Sequence, residues 1–205
     1  MTEHISRLKE IAQFINNIDD VMEKLYQCQG NVNYAYNHVD QWRDERYILT
    51  GCALIDTGNK IQEMNDWLVR IMMKVNEKYE TLNREYFERN DWDARFRAKN
   101  LEVEVEVKED VGAQVFAGTS AEGLRKFEQA MEEYIESTRK HLRSMRSELG
   151  QVHTTWRDEN YKKIDAYVSE FEYNIGNNLT NMSNVFLPWV VERRRALEKF
   201  DADSL

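Results

Sequence analysis

Between Leu8 and Val39 the apolar residues recur every seven positions, in two series. One runs Leu8, Ile15, Met22, Tyr36, with Gln29 standing where a further member belongs; the other runs Ile11, Ile18, Leu25, Val32, Val39. Such a stripe is one narrow face of a long helix that packs in coiled-coil fashion. Gly30 weakens it, but no proline stops it. The rhythm resumes as Tyr47, Leu54, Ile61, Leu68, Val75, Leu82, with Met64 and Ile71 on a second seam, and predicts a second helix to about Arg89. Gly51 and Gly58 lie inside that helix at a cost of about 1 kcal/mol each relative to Ala, so they read as points of close approach or a local bend.

From Asn90 to Thr119 the period changes. Leu101-Glu-Val-Glu-Val-Glu-Val107 alternates apolar with acidic, the pattern of a half-buried strand. Lys108–Gly112 reads as a turn and Ala113–Ala117 as a returning strand, a hairpin that lies on the helices or adds to a partner's sheet. Thr119 or Ser120 then reads as an N-cap. Leu124, Phe127, Met131, Tyr134, Thr138, Met145 and Val152 form the seam of a third helix. A fourth has Tyr161, Val168, Ile175, Met182 and Trp189, with Ile164, Phe171 and Val185 beside them. Pro188 removes a backbone donor and is expected to kink or break it, in a region the asparagine-rich run 177–181 already softens.

The halves align. Trp42-Arg-Asp-Glu-Arg-Tyr47 returns 114 positions later as Trp156-Arg-Asp-Glu-Asn-Tyr161, and Leu54, Ile61 and Leu68 match Val168, Ile175 and Met182. The pattern predicts an all-α fold: tandem long antiparallel hairpins forming a four-helix bundle, with a short β-strand or β-hairpin inserted between the halves. Residues 1–90 form the first hairpin, 91–118 the linker and 119–205 the second. Each hexapeptide sits where one helix ends and the next begins. Trp42 and Trp156 suit a wedge between helix ends, and Asp44 and Asp158 suit N-caps or first-turn acids of the following helices, with Glu45 and Glu159 beside them. Arg43 and Arg157 can bond the carbonyls that end the preceding helix, while Tyr47 and Tyr161 start the next seam.

A tryptophan in the turn between two helices resembles the WxG-motif family of small secreted helical hairpins, substrates of the ESX or type VII secretion route. The resemblance covers Leu8–Arg89 and Thr119–Phe200, with Trp42-Arg-Asp and Trp156-Arg-Asp in place of Trp-x-Gly. It implies two such hairpins fused in one chain, and as partners the secretion machinery or a toxin or effector. The family's export signal, Tyr-x-x-x-Asp/Glu after the second helix, has no clear counterpart: Tyr161–Asp165 fits the letters directly after a turn, and Tyr86–Asn90 misses the acid.

Charge and composition narrow the classes. One proline and eight glycines in 205 residues suit long helices rather than a sandwich or barrel. A net charge of −9 speaks against nucleic acid and anionic membrane as partners, since the one dense basic cluster is Arg193-Arg194-Arg195, which reads as a solvated face near a helix end. No apolar run approaches a membrane span. The first residues lack a signal-peptide pattern, so the expected location is the cytoplasm, or export without a cleavable signal. Cys28 and Cys52 read as reduced thiols.

No nucleotide-binding glycine loop, zinc motif or nucleophile elbow occurs, and none of His4, His38, His141 and His153 follows a Glu by three positions as a di-metal bundle requires. No catalytic residue, metal or cofactor is therefore expected. The expected function is protein–protein interaction through helix faces or by strand addition at Val103, Val105 and Val107. The alternative is an intracellular scaffold that oligomerises through its seams. Tyr79, Tyr86, Phe87, Trp92 and Phe96 are either an interface or a cover for the bundle end.

Overall fold

The computed structural model describes residues 2–39, 42, 44–108 and 121–203. Among them every regular element is helical: α1 (Thr2–Asn37), α2 (Glu45–Phe87), α3 (Ala121–Val152) and α4 (Glu159–Asn181), which passes through a π-helical turn (Met182–Phe186) into α5 (Leu187–Asp203). None of the described helices is long and apolar enough to cross a membrane.

The seams are the core. Leu8, Ile15, Met22 and Tyr36 are buried, as are Ile11, Ile18, Leu25, Val32 and Val39. On α2, Tyr47, Leu54, Ile61, Met64, Leu68 and Val75 follow suit, but Met72 is buried where Ile71 was expected, and Leu82 is half-buried. The α3 seam from Leu124 to Val152 is buried throughout. The equivalence of the halves extends to their first helices, where Phe14, Ile18 and Val39 stand 113 positions before Phe127, Met131 and Val152, all buried.

Pro188 does not break the last helix. Its ring cannot tolerate the carbonyl four residues earlier and it donates nothing. The wider π-turn just before it accommodates both defects, and helix continues to Asp203. A π-turn holds one residue more than an α-turn, so the seam slips by one: after Met182 the buried residues are Val190 and Leu197, while Trp189 is half-buried and Val185 exposed.

The expected β-strand is absent among the described residues. Residues 88–107 run without helix or strand, and Leu101, Val103, Val105 and Val107 are half-buried between exposed Glu102, Glu104 and Glu106. The alternation reports an extended chain with one face down, but a strand also needs a neighbouring main chain. Here asparagine side chains fill that place. The expected return strand, Ala113–Ala117, most of the turn before it and the expected N-cap at Thr119 or Ser120 lie outside the described residues.

Contacts divide the chain into two compact units, each drawing on both hairpins. Unit 1 comprises Met1–Tyr26, Ile61–Asn100 and Lys140–Tyr173; unit 2 comprises Gln27–Lys60, Leu101–Arg139 and Asn174–Leu205. Each is a packing of four helix segments with one stretch of the extended chain and one tryptophan turn.

In unit 2 the two α2 glycines differ. A Cβ on Gly51 would overlap the Tyr36 hydroxyl, lie 2.7 Å from its Cζ and meet Val107 at 3.0 Å. A Cβ on Gly58 would meet only the Gln29 side chain, at an ordinary 3.6 Å. Gly51→Ala is therefore expected to lower stability by about 1–2 kcal/mol, overpacking outweighing the helix-propensity gain. Gly58→Ala is expected to raise it by about 0.5–1 kcal/mol. Urea titrations of both variants give opposite signs if the packing is as described.

Candidate functional site

Each tryptophan turn is built by local rules. In unit 2, Asp44 precedes α2 and accepts the Tyr47 N–H at 3.0 Å, which makes it the N-cap. Trp42 is wholly buried and meets the Tyr47 ring edge-on at 5.4 Å. Tyr47 stacks on Tyr36 at 4.2 Å, and Tyr36 donates to the Tyr47 carbonyl at 3.0 Å. In unit 1, Asp158 caps α4 by accepting the N–H groups of Asn160 at 2.9 Å and Tyr161 at 3.1 Å. Trp156 is 2% exposed and meets Phe14, Tyr161 and Tyr79 edge-on at 5.6, 5.9 and 6.1 Å. Tyr161 donates to the Leu149 carbonyl at 3.2 Å. Arg157 donates to the His153 carbonyl at 3.0 Å, just past the end of α3. Arg43 lies outside the described residues. The structure thus brings Trp42, Asp44 and Tyr47 together in one unit and Trp156, Arg157, Asp158 and Tyr161 together in the other, with both indoles inside the core. His38 and His153 border the turns and are exposed.

Asp158 also ties its turn to α2. Its second oxygen accepts Lys78 Nζ at 2.6 Å and the Tyr79 hydroxyl at 3.1 Å. Burial works to raise its pKa, but Lys78, the Tyr161 N–H and Tyr79 outweigh it and hold the carboxyl below its usual range. A depressed carboxyl contributes stability that is present above its unfolded pKa, about 3.9, and lost as pH falls through the folded value. Asn also caps well. Asp158→Asn should therefore lose stability at pH 7 and show a smaller further loss on acidification to pH 3 than the parent, read by urea titration at both pH values.

The extended segment is pinned by side chains. In unit 1 the Arg95 N–H donates to Asn16 and the Arg97 N–H to Asp19, both at 2.9 Å, and Asn65 donates to the Lys99 carbonyl at 3.3 Å. Lys99, 8% exposed, pairs with Asp19 and lies over the Phe96 ring at 4.9 Å. In unit 2, Asn33 donates to the Val103 carbonyl at 2.8 Å. Asn37 donates to the Glu104 carbonyl at 2.7 Å and accepts the Glu106 N–H at 2.8 Å, so its carboxamide does what a peptide group of a neighbouring strand would do. Val105 has no hydrogen bond among the described residues. The sequence reading missed these amides. The available signal was the spacing of Asn16 with Asp19 and of Asn33 with Asn37, one turn apart on α1, together with an alternating segment further along the chain.

Unit 1 also holds a cleft of about 650 Å³, walled by α1 from Leu8 to Asn17 and by Arg89 to Asp93, with Asn83 of α2. Leu8 and Ala12 are buried apolar groups there; Gln13 is exposed, and no hydrogen bond engages its carboxamide among the described residues. Asp91 is held by Arg89 and Asn83, and the Arg89 hydrogen bond foremost depresses its pKa. Trp92 is half-buried and stacks on Tyr79 at 6.2 Å. The aromatic cluster is therefore divided: Tyr79 is core, Trp92 forms cleft wall, Phe87 and Phe96 are half-buried and Tyr86 is 72% exposed. No metal-binding group of His, Cys, Asp and Glu occurs among the described residues. Cys28 is half-buried and Cys52 exposed, both as free thiols. Arg194 pairs with Glu128 at 2.5 Å and with Glu198 at 2.8 Å, so part of the basic cluster is neutralised within unit 2.

Comparison with protein-family models, with characterised proteins and with solved structures gives no significant match, so the geometry of these sites carries the functional argument.

Proposed function

We propose that this chain is a non-catalytic helical interaction protein of the WxG-hairpin kind, binding protein partners through its helix faces and through the segment Leu101–Val107. The observation that carries the reading is the pair of equivalent tryptophan turns, each with a buried indole, an aspartate N-cap and a tyrosine at the third helical position. Two further features support it. Large apolar side chains stand out on the helices, Met73, Tyr86 and Tyr173 in unit 1 and Tyr34, Leu49 and Ile55 in unit 2. Val105 offers main-chain groups that no described residue engages, as strand addition requires. The partners fitting the resemblance are secretion machinery or a toxin or effector.

A native pull-down from the source cells, with mass spectrometry of what co-purifies, tests the reading. Stoichiometric protein partners are expected, together with the chain in the culture supernatant of cells with an intact type VII system. A chain confined to cells removes the export arm. Light scattering that finds a stable homo-oligomer with no other partner bound favours the scaffold reading, in which copies of the chain assemble with one another.

A further inference from the structure

We infer that the unit 1 cleft between α1 and Arg89–Asp93 is a docking groove for an extended polypeptide segment supplied by a partner protein. The inference rests on the interaction reading above and names one of its sites. Its volume, about 650 Å³, lies within the range of built ligand sites and has room for a few residues.

The wall chemistry selects the occupant. A carboxamide carries the donor and acceptor of a peptide group, so it pairs with main chain whatever the side chains. This unit already uses that pairing: Asn16 accepts the Arg95 N–H, and Asn65 donates to the Lys99 carbonyl. Gln13, a turn before Asn16 on the same face of α1, carries the same group into the cleft with nothing bound to it among the described residues. Asn17 donates to Glu148 at 2.7 Å, which leaves its carbonyl oxygen as an acceptor. Leu8 and Ala12 offer an apolar floor, and Trp92 an aromatic wall. Asp93 is exposed, with no ion pair among the described residues. Lys9, on the α1 wall, is likewise exposed with no ion pair among the described residues. The groove therefore fits an extended segment with an apolar residue over Leu8 and Ala12, a lysine or arginine towards Asp93 and an acidic residue towards Lys9.

The test is a phage-displayed random peptide library panned on the immobilised full-length protein. Enriched peptides are then titrated into the ¹⁵N-labelled wild-type chain and its Gln13→Trp variant. Because Gln13 is exposed and unbonded, that variant should melt with the wild type while its indole blocks the groove. Support is enrichment of peptides with an apolar, a basic and an acidic residue, shifts confined to Leu8–Asn17, Asn83 and Arg89–Asp93, and at least tenfold weaker binding to Gln13→Trp. The inference is overturned if no sequence enriches, if the shifts lie elsewhere, or if Gln13→Trp binds equally well. Binding of a free dipeptide as tightly as the selected peptide would reassign the cleft to a small molecule. The pull-down above, repeated with Gln13→Trp, separates the two claims. Partners retained by both proteins sink the groove and leave the interaction reading standing; partners recovered by neither sink the interaction reading itself.

Discussion

Trp156→Ala is expected to cost about 3–5 kcal/mol of stability, and Trp42→Ala a comparable amount, because each removes the largest side chain in its part of the core. Trp156 is edge-on to three rings, so its loss opens a cavity and removes three aromatic contacts that surrounding backbone cannot follow inward. Trp42 rests on Tyr47, itself stacked on Tyr36, and removing it frees a pair that closes the turn into α2. Denaturation followed by circular dichroism at 222 nm gives the magnitude. Hydrogen exchange gives the place: protection should fall first at the ends of α3 and α4 for Trp156→Ala, and of α1 and α2 for Trp42→Ala. Losses below about 1 kcal/mol would mean that the turns are not core elements.

The second large effect is expected at Gln29. It occupies an apolar seam position yet is completely buried, and its polar atoms are engaged. Its Nε2 donates to Asn33 at 2.8 Å and to the Leu54 carbonyl at 3.1 Å, and its Oε1 accepts the Tyr134 hydroxyl at 2.5 Å. Tyr134 is itself buried, and burial drives its hydroxyl pKa far upward, so it stays a neutral donor. Gln29→Leu keeps the volume but strands that hydroxyl, at about 1–3 kcal/mol. Gln29→Ala adds a cavity, for a total of about 2–5 kcal/mol. The pair Gln29→Leu with Tyr134→Phe removes both partners of the hydroxyl bond and should recover the part of the loss due to the stranded hydroxyl, leaving the smaller cost of Asn33 Oδ1 without its Gln29 donor. A double-mutant cycle in urea measures the coupling, and coupling below about 0.5 kcal/mol would contradict the described bond. A polar residue at a seam position can set register at a cost in stability. By that rule the doubly apolar variant should also be the one prone to alternative helix pairings, seen as extra species in light scattering.

The seams were legible because a helix buries every third and fourth residue, whatever lies opposite it. Hence the long runs from Leu8 to Val39 and from Leu124 to Val152 agree with burial residue by residue. The caps were legible for a similar reason: an aspartate before a helix meets free N–H groups one turn away, and Asp44 and Asp158 do so. The strand was misread because alternation encodes only which face of an extended chain is covered. Whether it becomes a strand depends on a neighbour, and that neighbour turned out to be Asn37. The slip from Trp189 to Val190 was hidden because Pro188 shows that hydrogen bonding must change but not how.

By itself, then, the sequence determined the helices, most of their buried faces, the aspartate caps of both turns and the repetition that relates the halves, because each depends on groups within a few residues of one another or on strict periodicity. The tertiary structure decided the rest. It made Gln29 a bonded core residue, gave Gly51 its necessity beneath Tyr36, and turned scattered asparagines into partners for the extended chain. It also placed Gln13, Asp93 and Trp92 around one cleft. These meetings join residues tens of positions apart, and no local propensity or period records which side chain will face which once the helices pack.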